Sequence, residues 1–139
     1  MADRKNVNTL VLEAKARIEE LSVEQLQAEI EAGEVTVVDI RDIRERWSLG
    51  AIPGAKSMPR GMLEFWFDPE SIYYRKGLDF SSRYVLHCAG GHRSALAADV
   101  LQQLGYTNVA HLTVGYNGWK EAGGATEEVY PDPKYFKEQ

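Results

Sequence analysis

One stretch of the chain, residues 85–96 (VLHCAGGHRSAL), places a thiol between a short apolar run and a segment that favours helix. The apolar run Tyr84–Leu86 predicts a strand, and Cys88, the single cysteine, follows it closely. The adjacent glycines Gly90 and Gly91 predict a tight loop in which backbone N–H groups can converge on an anion. Strand, loop and helix in this order are typical of an α/β fold, with the loop at the carboxyl edge of the sheet.

This position predicts that Cys88 is a reactive thiolate. Unpaired N–H groups and the positive end of a helix dipole lower a cysteine pKa from ~8.5 into roughly the 3.5–7.5 range. Arg93 would hold an anionic substrate or brace the loop, and the Ser94 hydroxyl can donate to the sulfur. The alternative is a small buried hydrophobe, since free cysteines are commonly buried. A structural cysteine needs neither the glycine loop nor the arginine.

Length and charge limit the class of protein. A chain of 139 residues with 44% apolar residues suits one compact domain. The net charge of −5 argues against nucleic acid as a partner. One cysteine excludes an internal disulfide and suits a reducing compartment. Because no signal peptide pattern and no membrane-length apolar run are visible, we expect a cytoplasmic protein without a membrane partner.

The order of the predicted elements alternates strands with helices, which favours a mainly parallel sheet with helices on both faces. An apolar stripe predicts an additional N-terminal helix as far as Leu21, packed on its own domain or forming a homodimer. Ser22 begins a capping box for a second helix that ends at Gly33. The remaining elements are predicted as strands near 35–40, 56–59, 84–87 and 109–112, and helices near 42–49, 60–67, 93–104 and 115–123. We expect a helical extension (1–21), a core (22–124) and a surface tail (125–139).

Other polar residues have structural as well as functional interpretations. Asp39 and Arg41 end a buried strand, where they could act as an acid/base pair, but an ion pair that supports the loop is favoured. His87 and His111 are assigned structural roles, whereas His92 could add positive potential or simply face solvent. One cysteine and three histidines at these spacings do not predict a metal site.

The segment from Cys88 to Ser94 resembles the active-site loop of the rhodanese (thiosulfate sulfurtransferase) family, which reads Cys-x-x-Gly-x-Arg-Ser/Thr. Further resemblances cover most of residues 22–124. They lie in the strand motif 37–41, the following segment 45–55, the helix end and next strand at 101–109, and the closing motif of Leu112, Gly115 and Trp119. The chain departs from the family pattern at Ala51, where histidine is usual, and at Val114, where glycine is usual.

The resemblance implies a rhodanese-like three-layer α/β fold and sulfur transfer without a cofactor. The Cys88 thiolate would take the outer sulfur of an anionic donor such as thiosulfate, forming a persulfide that cyanide or a thiol then removes. The backbone of the loop would stabilise this anion as a cradle formed by Ala89, Gly90, Gly91, His92 and Ser94.

Two other functions remain open from the sequence. Phosphatases and arsenate reductases on a similar fold also begin their loop with His-Cys, as His87-Cys88 does here. Their loop has one residue more before the arginine, so the shorter loop favours a single sulfur over a tetrahedral phosphate. A sulfur-carrier or regulatory interaction module is the second alternative. Inactive relatives commonly lack the cysteine, which is present here.

Overall fold

The computed structural model describes residues 3–133, which form a five-stranded sheet flanked by helices. The strands are β1 (Glu19–Leu21), β2 (Thr36–Asp39), β3 (Lys56–Ser57), β4 (Tyr84–His87) and β5 (Val109–Leu112). The α-helices are α1 (Val7–Arg17), α2 (Val23–Ala32), α3 (Ile43–Leu49), α4 (Leu63–Phe67), α5 (His92–Gln103) and α6 (Gly115–Glu121). A short 3₁₀ turn (Arg60–Met62) precedes α4.

The sheet has the order β1-β5-β4-β2-β3, and every pair of neighbouring strands in it is parallel. Side chains alternate between its faces. Val38 and Leu86 pack towards α4 and α5, whereas Val37 and Val85 pack with residues of α2 and α6. The predicted three-layer α/β fold with an additional N-terminal helix is therefore confirmed. Because β4 is central, the loop that follows it lies in the middle of the sheet's carboxyl edge.

Local sequence signals account for several of these boundaries. Ser22 and Gln25 form the predicted capping box of α2, and Gly33 ends that helix in the left-handed conformation at φ +74°. Asp42 and Glu45 form a second capping box at the start of α3. This second box has a functional consequence, because it fixes the side chain of Glu45 near the loop after β4.

The prediction that the N-terminal helix continues to Leu21 was wrong. The helix ends at Arg17, and Glu19–Leu21 form the edge strand β1, paired in parallel with residues 110–112 of β5. An unpaired edge of β5 offers backbone hydrogen bonds that the apolar spacing cannot reveal. The correction matters for the site, because the strand pairing places Glu20 directly beside His111 of β5.

The N-terminal helix packs on its own domain. Val11 and Ala14 are buried against Ala95 of α5, and Arg17 makes two hydrogen bonds of 2.9 and 2.7 Å with Asp99. The homodimer that this helix could also form stays a prediction.

The predicted surface tail is attached at its beginning. Glu127 forms an antiparallel bridge with Ala51, and the Trp119 indole donates to the Ala125 carbonyl at 2.8 Å. Residues 134–139 of the predicted tail, and residues 1–2 of the predicted extension, lie outside the described part of the chain. Within residues 3–133, no helix is long and apolar enough to cross a bilayer.

Candidate active site

The sulfur of Cys88 lies at the base of the loop between β4 and α5. Cys88 is 1% exposed, and its Sγ accepts a hydrogen bond of 3.1 Å from the Gly91 N–H. The Ser94 hydroxyl, on the first turn of α5, lies 3.6 Å from the same sulfur. The structure therefore brings the predicted thiol, the glycine loop and the serine together.

These contacts change the acidity of the thiol. Burial by itself raises the pKa of Cys88, because it disfavours the charged form. Hydrogen bonds from the Ser94 hydroxyl and from the N–H groups of Ser94, Gly91 and Gly90 stabilise the thiolate and outweigh burial. The net pKa of Cys88 lies below the ordinary thiol value, as a nucleophile requires.

Glycine is required at Gly91 but not at its neighbour. Gly91 has φ +97°, and a Cβ there would collide with the backbone carbonyl of Thr113. A Cβ at Gly90 would meet no atom within 4 Å. Gly115 also approaches the loop closely, because a Cβ there would meet the Ala89 carbonyl. The backbone of the loop is therefore in close contact with Thr113 and Gly115, at the start of α6.

Two N–H groups of α6 hold the opposite side of the loop. The Tyr116 N–H donates to the Cys88 carbonyl at 2.8 Å, and the Asn117 N–H donates to the Ala89 carbonyl at 3.0 Å. Because the start of α6 binds these two carbonyls, the N–H groups of the loop remain free to face the Cys88 sulfur. Among the other loop residues, Ala89 is half-buried, whereas Gly90 and His92 are exposed.

Arg93 is bound by a carboxylate from another helix. Its guanidinium donates to both oxygens of Glu45, at 2.9 and 3.2 Å. The Glu45 hydrogen bonds raise the pKa of Arg93 further, with a smaller contribution from the Cys88 thiolate. Arg93 therefore carries a permanent positive charge beside the sulfur, with its side chain 43% exposed.

Asp39 and Arg41 form a separate buried cluster below the loop. Asp39 Oδ2 accepts 2.8 Å hydrogen bonds from Arg41 and from Arg46, and Arg41 also donates to the Gly50 carbonyl at 2.9 Å. Burial raises the pKa of Asp39, but the Arg41 hydrogen bond and the Arg41 charge lower it by more, as does the His87 ring once it is protonated in acid. This carboxylate is consequently ionised and paired, and a proton-transfer role has no contact to support it.

His87 lies between this cluster and the backbone of the loop. Its Nδ1 lies 3.1 Å from the Cys88 carbonyl, and its Nε2 faces Asp39 Oδ2 at 3.7 Å. Burial lowers the pKa of His87, so the imidazole is neutral at neutral pH. Because a carbonyl can only accept, His87 Nδ1 carries the ring hydrogen, and the neutral Nε2 makes no hydrogen bond with Asp39. The loop-support role of Asp39 and Arg41 stays a prediction.

Sequence reasoning missed a hydrogen-bonded chain that begins at Ser94. The Ser94 hydroxyl lies 2.8 Å from His111 Nδ1, and His111 Nε2 lies 2.9 Å from Glu20 Oε2. A polar residue inside the otherwise apolar strand Val109–Leu112 was the available signal for His111. Glu20 carried no such signal, because it was expected on a helix. Glu45 and Arg46 were also not predicted as site residues.

The described residues 3–133 contain no group of three or more His, Cys, Asp or Glu side chains placed to hold a metal ion.

A family model for the rhodanese-like domain matches residues 22–122. The chain belongs to the rhodanese-like family. This match begins at the N-cap of α2 and ends just after α6, so α1 and β1 precede it.

Two curated relatives share this resemblance. A Schizosaccharomyces pombe protein named "putative thiosulfate sulfurtransferase, mitochondrial" is 29% identical over 90 residues, which cover 61% of this chain and 63% of that protein. A Synechococcus elongatus "putative thiosulfate sulfurtransferase" is 29% identical over 112 residues, covering 70% of this chain. The matched region spans only 35% of the Synechococcus protein.

Solved structures show the same fold. A Rhodopseudomonas palustris protein of unknown function, described as a "possible tyrosine phosphatase", is 41% identical with a TM-score of 0.86, and the match covers 91% of this chain and 98% of that one. A human single-domain sulfurtransferase is 27% identical with a TM-score of 0.64, covering 73% and 95%. These relatives carry two different functional descriptions on one fold.

Proposed function

We propose that this rhodanese-like protein is a sulfurtransferase that carries a sulfur atom as a persulfide on Cys88. The observation that carries the proposal is the 3.1 Å hydrogen bond from the Gly91 N–H to the Cys88 sulfur, within a loop whose geometry excludes a side chain at Gly91. A thiolate held by N–H donors is both activated and positioned for attack.

The reaction proceeds in two halves. The thiolate attacks the outer sulfur of a donor such as thiosulfate, so a sulfur–sulfur bond forms on Cys88 while sulfite leaves with the electron pair of the broken bond. A thiophilic acceptor, cyanide or a thiol, then attacks the outer sulfur and releases the Cys88 thiolate. Charge is conserved in each half, and the anionic persulfide stays beside the loop N–H groups and Arg93. Ping-pong kinetics follow from this scheme.

The relatives support the choice of donor. Both curated proteins carry the name thiosulfate sulfurtransferase, and the human structure is a single-domain sulfurtransferase. The Arg93 guanidinium, bound to Glu45 on one side and 43% exposed, is the cation beside the sulfur that suits a small anionic donor. A cytoplasmic location stays a prediction from the sequence.

Intact-mass measurement tests the proposal directly. Incubation with thiosulfate, without reducing agent, should add about 32 Da, one sulfur atom, to the wild-type protein. Cyanide should then remove this mass and yield thiocyanate. The Cys88→Ser variant should gain nothing. A wild-type protein that stays unmodified under these conditions contradicts the proposed function.

A phosphatase is the second candidate, and the description of the Rhodopseudomonas palustris structure favours it. The loop length argues against it. Four residues, Ala89–His92, separate Cys88 from Arg93, which leaves a tighter cradle than the longer phosphatase loop. Hydrolysis of an aryl phosphate faster than the formation of thiocyanate from thiosulfate and cyanide would replace the sulfurtransferase proposal with this one.

A further inference from the structure

A continuous line of polar side chains leads from the Cys88 sulfur to the protein surface. Its steps are 3.6 Å from Cys88 Sγ to Ser94 Oγ, 2.8 Å from there to His111 Nδ1, and 2.9 Å from His111 Nε2 to Glu20 Oε2. Ser94 and His111 are completely buried, whereas the Glu20 side chain is 34% exposed. Three separate elements, α5, β5 and β1, supply one residue each.

The direction of each hydrogen bond follows from its ends. A carboxylate can only accept, so His111 Nε2 carries the hydrogen that bonds Glu20. The neutral ring then has a lone pair on Nδ1, which accepts the Ser94 hydroxyl hydrogen. The Ser94 oxygen keeps lone pairs to accept the S–H of the Cys88 thiol. All donors in this line point away from the sulfur and towards the surface.

We propose that Ser94, His111 and Glu20 form a proton relay that removes the Cys88 proton and stabilises the thiolate. On ionisation the S–H bond breaks and its electron pair stays on sulfur. Ser94 takes this proton as it passes its own to His111 Nδ1, so one proton leaves the sulfur and one arrives at the imidazole. The resulting imidazolium faces the Glu20 carboxylate, and the Ser94 hydroxyl now donates back to the thiolate. His111 and Glu20 are positioning residues for the proposed sulfur transfer, on which the catalytic meaning of the relay rests.

The charges around His111 agree with this role. Burial lowers the pKa of His111, so the resting imidazole is neutral and able to accept a proton. The Glu20 hydrogen bond and charge oppose this effect, and Lys15 of α1 adds a small lowering. Glu20 is therefore the anion that favours the protonated ring.

The pH dependence of Cys88 alkylation by iodoacetamide tests the relay without any sulfur donor. In Glu20→Gln the imidazolium loses its counter-ion, so the alkylation midpoint should rise by about one pH unit, a tenfold smaller thiolate fraction at pH values below the midpoint. A through-space effect predicts the opposite sign, because removing a nearby negative charge makes a thiolate easier to form. A midpoint that falls or stays unchanged in Glu20→Gln overturns the proposal.

Glu19→Gln is the matched control. It removes the same charge from the neighbouring position of β1, but Glu19 bonds Arg83 instead of His111, and Arg83 keeps Glu29 as a partner. Its midpoint should not rise. A rise equal to that of Glu20→Gln would assign the effect to β1 as a whole and overturn the relay.

Two further variants separate the relay from folding. His111→Asn can retain an acceptor near Ser94 but cannot take up a proton, so it should raise the alkylation midpoint when measured well below the variant's own melting temperature. An unchanged midpoint in a folded His111→Asn protein overturns the relay. In a Ser94→Ala background the line is broken, and Glu20→Gln should then produce no further rise. A rise that persists in this background contradicts transfer through Ser94.

Persulfide formation is measured separately from the alkylation midpoint. A shifted midpoint without a sulfur adduct therefore refutes the proposed function and keeps the relay.

Discussion

The guanidinium of Arg93 is bound by both oxygens of Glu45, at 2.9 and 3.2 Å, next to the Cys88 sulfur. Glu45 is fixed in turn, because it is the capping-box residue of α3. The pair thus joins the first turn of α5 to α3, the helix after β2. This arrangement makes the two interpretations of Arg93, substrate clamp or loop brace, separable by experiment.

Arg93→Ala should lower the rate of persulfide formation from thiosulfate by about 10²–10³-fold, the size expected for loss of one charge-stabilising group. Glu45→Gln keeps the capping box and the Arg93 charge, and should change this rate by less than about fivefold, since partly exposed ion pairs contribute about 0–1 kcal/mol. Stopped-flow sulfite release and thermal melts measure the two effects. Equal losses of rate and stability in both variants would identify Arg93 as a brace.

Gly91→Ala should distort the loop. The substitution forces a side chain onto a residue at φ +97° and against the Thr113 carbonyl, so we expect the free energy of unfolding to fall by about 1–3 kcal/mol and the sulfur adduct to be lost. Gly90→Ala is the matched control, because no atom lies within 4 Å of its new Cβ. Urea unfolding and intact mass report both properties. Similar behaviour of the two variants would show that the Gly91 conformation is not needed.

Asp39→Asn should destabilise the protein strongly. The substitution removes the carboxylate to which both Arg41 and Arg46 donate hydrogen bonds. Leaving buried charges without their partner costs about 3–5 kcal/mol. Asp42→Asn provides a comparison at an exposed helix N-cap, where asparagine is as good a cap as aspartate and the expected change is below about 0.5 kcal/mol. Chemical denaturation at neutral pH checks both, and a small loss in Asp39→Asn would refute the supporting role.

Protonation of Asp39 should account for part of the decrease in the free energy of unfolding at acidic pH. Its pKa is lower in the folded protein than the ordinary 3.8, so the unfolded chain takes up a proton first as the pH falls. The stabilising contribution is therefore complete above pH 3.8 and is lost as the pH decreases further through the folded value. The stability difference between wild type and Asp39→Asn should shrink over this window. A difference that is constant down to acid unfolding would show that Asp39 does not titrate with folding.

The loop after β4 could be predicted from the sequence because its signals are local. A strand that ends in cysteine, two glycines and a helix start are contiguous, and the structure places Cys88, Gly91 and Ser94 together. The capping box of α2 is local in the same way. These features need no knowledge of distant partners.

The parts that could not be predicted depend on residues far apart in the chain. Apolar spacing continues through Ile18 and Leu21, so it indicated helix, whereas pairing with the edge of β5 makes this segment a strand. His111 and Glu20 meet across 91 positions of sequence. Arg93 and Glu45 are separated by 48. No local pattern encodes such contacts, because they exist only once the sheet order is set.

The strand order also separates two routes to the nucleophile. Glu20 belongs to the β1 edge of the sheet, whereas Glu45 follows β2, on the opposite side of β4. In the proposed mechanism, protons relayed through His111 would reach solvent at the β1 side, and a sulfur donor bound by Arg93 would approach from the β2 side. An acceptor that covers the Arg93 side would then leave the Glu20 side open, so that the Cys88 thiol could still exchange protons with the surrounding buffer while the acceptor is bound.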